Sequence, residues 1–140
     1  MYVCDLTKRE YRSKPHPSIT GPADVFHLVK RRLAARTQEH FLILLLNARH
    51  AVLGIETISV GTLNASIVHP REVFRAAVLG NAASLILCHN HPSGDPTPSD
   101  DDVAITRRLV QVGELHGIPI LDHVVVTKKT YASFGELRLL

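Results

Sequence analysis

Two histidines one residue apart, His89 and His91, head a fourteen-residue segment that also holds Ser93, Asp95, Ser99 and three consecutive acids, Asp100 to Asp102. Imidazoles and carboxylates are the ligands from which hydrolytic zinc sites are built. Such a site takes three protein ligands and leaves a fourth position for water, whose pKa falls to about 7. His89, His91 and Asp102 supply that count.

The surrounding residues read as the elements that would position them. The apolar run Ser84-Leu85-Ile86-Leu87-Cys88 reads as a buried strand. Residues two apart in a strand share a face, so His89 and His91 should project together at its end. Pro92, Gly94, Pro96 and Pro98 then stop the strand and turn the chain. Ser99 stands where a helix should begin, with Val103, Thr106, Leu109, Val110 and Gly113 spaced for a buried face and Gly117 closing it. Asp102 falls in the first turn of that helix.

Plainer readings stand beside this one. The chain has nine histidines, so a His-x-His pair alone carries little weight. Ser99-x-x-Asp102 is close to a capping box, and the acids at 100 to 102 complement a helix dipole. Cap and ligand readings are compatible, and it is strand, turn and helix together that favour the metal. Turn chemistry and the dipole account for Asp95, Asp100 and Asp101, which are left out of the ligand set. His69, His116 and His123 read as packed, structural histidines; for His123, next to Asp122 in a strand, the alternative is to orient a metal-bound group. The string His-Asn-His also shares its name with a nuclease motif, but those nucleases spread their residues over a longer ββα unit.

The string His89-x-His91-Pro92, six residues, Ser99-x-x-Asp102 resembles the JAMM motif of the JAB/MPN metallopeptidase superfamily. The longer run from His89 to Ser99 resembles its RadC branch, as do Gly61 to Phe74 and Gly117 to His123, so the likeness covers about Ile19 to Phe134. The resemblance implies a single JAB/MPN-like α/β domain, a mixed β-sheet flanked by helices with a cytidine-deaminase-like architecture. It implies Zn²⁺ held by His89, His91 and Asp102 with a water, and Ser99 stabilising the oxyanion of a tetrahedral intermediate. It further implies an upstream glutamate as general base. Glu39, just ahead of the strand-like run His40 to Leu46, fits that place, with Glu56 as the alternative; Glu56 reads otherwise as a solvent-facing strand residue. Relatives in the superfamily cut isopeptide bonds to ubiquitin, so a peptide or protein substrate is expected, its identity open. The RadC name is tied to DNA repair, but longer RadC proteins carry an N-terminal helix-hairpin-helix region without a counterpart in these 140 residues, and its DNA contact is not carried over.

Composition agrees with one domain: 140 residues, 45% hydrophobic, suffice for a single core. The expected division is an N-terminal arm or edge strand over residues 1–18 and the JAB-like domain over 19–140. No stretch approaches the roughly 20 apolar residues of a membrane helix, and Met1-Tyr2-Val3-Cys4-Asp5 lacks a signal peptide's regions, so a cytoplasmic protein without membrane contact is expected. Cys4 and Cys88 are too few for a disulfide framework, and strand alternation turns Cys88 away from His89 as a core thiol.

Along the chain, Thr20 is expected to cap a helix from Pro22 with Val25, Leu28, Val29, Arg32 and Leu33 on one face. Phe41 to Leu46 and Val52 to Val60 read as a hairpin joined by Asn47 to His50. A helix follows from Pro70 to Leu79, then the ligand strand and its helix, a strand from Ile118 to Val126, and a last one at Tyr131 to Phe134. Alternating strands and helices predict a mixed α/β sheet with helices on its faces.

Three other functions compete. Nucleic-acid binding draws on a net charge of +3 and the clusters Lys30-Arg31-Arg32, Arg107-Arg108 and Lys128-Lys129, but aromatics are only 5% and no base-stacking motif occurs. A zinc nucleobase deaminase would need a Pro-Cys-x-x-Cys ligand pair, which is absent. A non-catalytic module that keeps the metal is the third, weakened by the presence of every motif residue.

Overall fold

Strand β1 (His40–Leu46) is a continuous apolar run after its first residue, because both of its faces are covered. Phe41, Ile43 and Leu45 enter one core; Leu42, Leu44 and Leu46 enter another on the opposite face. This computed structural model describes residues 17–64 and 66–140. The first core is closed by α2 (Pro70–Leu79), through Val73, Phe74 and Ala77, and by α3 (Asp100–His116), through Ile105 and Leu109. The second is closed by α1 (Pro22–Leu33), through Val25, Phe26, Val29 and Leu33. The result is a mixed α/β sheet with helices on both faces.

The sheet has five strands in the order β2-β1-β3-β4-β5, with β2 at Val52–Val60, β3 at Ser84–Asn90, β4 at Ile120–Val126 and β5 at Tyr131–Ser133. β1 pairs antiparallel with β2 and with β3, and β4 with β5. Only β3 and β4 are parallel, and α3 is the crossover such a pair requires. β3 is buried from end to end, with Leu85 and Leu87 in the first core and Ile86 and Cys88 in the second. Cys88 thus faces away from the His89 side, a free thiol whose pKa burial pushes up.

Several expected boundaries shift. β4 begins at Ile120 because Ile118 still closes α3, its N–H donating to the Gly113 carbonyl at 2.9 Å. Gly117 ends α3 at φ 69°, a left-handed turn that glycine accepts without strain. α1 is capped at Gly21, not Thr20; Thr20 instead donates from its N–H and hydroxyl to Asp24, at 2.8 and 2.6 Å. Arg32, expected on the inner face of α1, is exposed, and Phe26 takes its place against Tyr131, ring centroids 5.4 Å apart. On α3 the buried set is Asp102, Ile105, Thr106, Leu109 and Gly113, while Val103 and Val110 are only half-buried. The helix is rotated by its close approach at Gly113, where a Cβ would stand 2.6 Å from the Ile118 carbonyl, and by Asp102 turning inward.

Of the expected arm or edge strand over residues 1–18, positions 1–16, Cys4 among them, lie outside the described residues. Ser18 forms an isolated antiparallel bridge with Ala51. Among the described residues no helix is long and apolar enough to cross a membrane.

Candidate metal centre

β3 ends at Asn90, and the chain runs through a turn at Pro92 to Gly94, where Gly94 has φ 89°, before α3 starts. Ser99 caps α3: its Oγ accepts from the Asp102 N–H at 3.1 Å, and its own N–H donates to Asp102 Oδ2 at 2.8 Å. This reciprocal cap also fixes the Asp102 carboxylate, so the cap is compatible with the ligand reading.

His89, His91 and Asp102 each offer one atom to a group spanning no more than 4.8 Å. His89 Nε2 is 2.9 Å from His91 Nε2 and 3.3 Å from Asp102 Oδ1; His91 Nε2 is 3.0 Å from Asp102 Oδ2. These separations lie at or a few tenths of an ångström inside the edge of a ligand tetrahedron with bonds of about 2.0 to 2.2 Å, which is about 3.3 to 3.6 Å.

The hydrogen bonds behind the imidazoles decide which nitrogens are bare. The Thr106 hydroxyl donates its one proton to the Asp102 carbonyl at 2.7 Å, so the same oxygen must accept from His123 Nδ1 at 2.6 Å. His123 Nε2 is then a lone pair and accepts from His89 Nδ1 at 2.7 Å, which leaves His89 Nε2 unprotonated and facing the cluster. His91 Nδ1 donates to the Asp95 carbonyl at 2.9 Å, freeing His91 Nε2 in the same way. Two lone pairs and a carboxylate converge with no donor of their own. Only a cation or a proton holds them together, and a metal fits this donor set.

The charges follow. Burial alone would raise the Asp102 pKa, but hydrogen bonds from His89 and His91 when these carry a proton on Nε2, and from the Ser99 N–H, overcome it and hold the carboxyl far below the usual range. When His91 carries a proton, hydrogen bonding to Asp102 raises its pKa against the opposing effect of burial, helped by Asp95 and by the charge of Glu39. Burial, with His89 and His91 nearby, lowers the His123 pKa well below 6.5, so it stays neutral as the network requires.

The remaining predicted residues are placed as follows. Glu39 precedes β1 and is half-buried; its Oε2 accepts from the Leu63 N–H at 2.6 Å, and its charge reaches His91. Glu56 is exposed on the edge strand β2, opposite Ile43. Asp95 makes the turn, accepting from the Thr97 N–H at 3.0 Å, and Asp100 and Asp101 are exposed in the first turn of α3. His116 stacks on Phe74, and His69 precedes α2. His123 is packed as expected, between Phe134 and Phe41, but it is also bonded to His89.

Sequence reasoning passed over two residues. Asn90 donates from Nδ2 to the Gln38 carbonyl at 3.0 Å and accepts at Oδ1 from the His40 N–H at 2.7 Å, clamping the backbone on both sides of Glu39. In the sequence Thr106 reads only as part of a buried helix face. The signal for both was a polar side chain in a buried position, which must find a partner.

A mixed α/β sheet with two histidines at the end of a strand and an aspartate on the following helix defines a JAB/MPN-type domain with a possible metal group. The model of the RadC-like JAB domain matches residues 19–139. A UPF0758 protein of Caldanaerobacter subterraneus is 53% identical over 109 residues, 78% of this chain and 47% of its own length. Another, from Desulforamulus reducens, is 54% identical over 87% of this chain and 54% of its own length. A third, from Desulfitobacterium hafniense, is 46% identical over 97% of this chain and 61% of its own length. The chain therefore belongs to the RadC-like JAB domain family. It spans about half to three-fifths of the length of these relatives.

Proposed function

We propose that this domain is a zinc-dependent hydrolase of the JAMM metallopeptidase type, cleaving an amide bond of a peptide or protein substrate in the cytoplasm. One observation carries the reading: two imidazole Nε2 lone pairs and a carboxylate oxygen meet within 4.8 Å, each imidazole held in that tautomer from behind. His89, His91 and Asp102 would hold the ion. When bound, zinc supplies a Lewis acid that polarises a carbonyl and lowers the pKa of water towards about 7.

The chain's own groups do the rest. Glu39 has one carboxylate oxygen anchored by the Leu63 N–H, which leaves the other to take a proton from the attacking water and return it to the leaving amine. Ser99 is exposed, and its oxygen accepts the cap bond, so its hydroxyl proton is free to be donated to a developing oxyanion. Glu39 is favoured over Glu56 as the base because its charge reaches His91, whereas Glu56 lies exposed on the outer strand.

The test joins metal analysis to cleavage of a peptide library by wild type, Glu39→Gln and Glu56→Gln. Glu39→Gln is expected to keep the metal and lose cleavage while Glu56→Gln keeps both. Loss of cleavage in Glu56→Gln alone would transfer the base to that residue, and a wild type that binds metal but cuts nothing would favour a non-catalytic module.

A further inference from the structure

Beside the candidate centre lies an open groove of about 600 Å³, walled by the chain leaving α1, the turn after β3 and the loop after β4. His91 lines it, so the groove begins at a metal-ligand candidate and runs away from it. Its charged lining is Arg36, Lys128 and Lys129, all exposed, and no aspartate or glutamate lines it. Leu33, Pro92 and Val126 give it apolar wall. No phenylalanine, tyrosine or tryptophan is present in that lining to stack a nucleobase.

We propose that this groove is the subsite for a carboxylate-bearing stretch of polypeptide, so that the substrate class is an acidic peptide segment held beside the scissile amide. The proposal rests on the hydrolase reading for its catalytic meaning, but the groove's preference for acidic chains is a property of binding alone. Three cations without an opposing acid in the lining attract carboxylates and phosphates alike, and the lack of a phenylalanine, tyrosine or tryptophan to stack a base favours a peptide over a single strand of nucleic acid. Because the cations are exposed, each pairing contributes a factor of about two, and the preference weakens as salt shortens the screening length to about 10 Å at 0.1 M.

The experiment measures binding, by fluorescence anisotropy, of a labelled peptide with three glutamates, its glutamine counterpart, and a single-stranded oligonucleotide of equal charge. Inorganic phosphate serves as competitor. Wild type is expected to bind the acidic peptide about tenfold more tightly than the glutamine peptide, and more tightly than the oligonucleotide. The combined variant Arg36→Gln, Lys128→Gln, Lys129→Gln should lose the preference with metal content and thermal midpoint unchanged; should it fail to fold, Lys128→Gln and Lys129→Gln singly should each halve the preference. Equal binding of the two peptides, tighter binding of the oligonucleotide, displacement by phosphate at equal charge concentration, or a preference that survives the substitutions would each overturn the proposal. A wild type that shows no preference but cleaves in a Glu39-dependent way removes the groove assignment alone. A retained preference in a protein that binds no zinc removes the hydrolase reading and leaves an acidic-peptide site.

Discussion

His123 and Thr106 lie behind His89, away from the open side of the site, yet their removal should weaken metal binding. His123 Nε2 accepts from His89 Nδ1 at 2.7 Å, and Thr106 fixes the His123 tautomer through a 2.6 Å bond. His123→Phe keeps an aromatic ring against Phe134 and Phe41 but removes the acceptor. The His89 ring is then free to turn or to carry its proton on Nε2, where the ligand lone pair must be. Loss of such a supporting bond costs about 10- to 100-fold in metal affinity, or about 1.4 to 2.7 kcal/mol. The stranded, fully buried His89 N–H costs about 1 to 3 kcal/mol in stability as well. Thr106→Val is the milder change, because His123 still faces His89 with only its tautomer released, and about tenfold is expected. Zinc affinity is read by competition with a chromogenic chelator, and ¹⁵N spectra of the imidazoles report which nitrogen of His89 is protonated. Unchanged affinity in both variants, with His89 still protonated on Nδ1, would refute the reasoning.

Two further outcomes are expected. Asn90→Ala should retain metal but lower cleavage, since it frees the backbone on both sides of Glu39, and kcat should fall more than KM rises; loss of metal instead would place Asn90 among the ligand supports. In metal-free protein, His91 has a raised pKa, so the stability it contributes is present below 6.5 and lost as pH rises through its higher folded value. His123 has a lowered pKa, so its unfolded form takes up protons first and stability falls as pH drops below 6.5. Urea unfolding of metal-free protein should therefore give a stability maximum near pH 6.5, and a monotonic profile across that value would contradict these assignments.

The clustering of His89, His91 and Asp102 was legible because strand alternation, proline turns and a helix cap each leave a local signature, and all three bear on these residues. The order of elements was legible for the same reason: β1 and β3 are apolar runs bounded by polar turns. The strand order and the parallel β3/β4 pairing were not, since a sheet's neighbours are set by long-range packing. The rotation of α3 was missed because Val103 and Val110 satisfy the helical period as well as Ile105 does, and only the approach at Gly113 decides between them. Asn90 and Thr106 were overlooked because their partners lie 50 and 17 residues away in the chain.

We propose that His89, His91 and Asp102 together hold one zinc ion. Elemental analysis of the purified wild type beside the double variant His89→Ala, His91→Ala tests it directly. About one zinc per chain is predicted for the wild type and none for the variant; full occupancy in a folded double variant would contradict it.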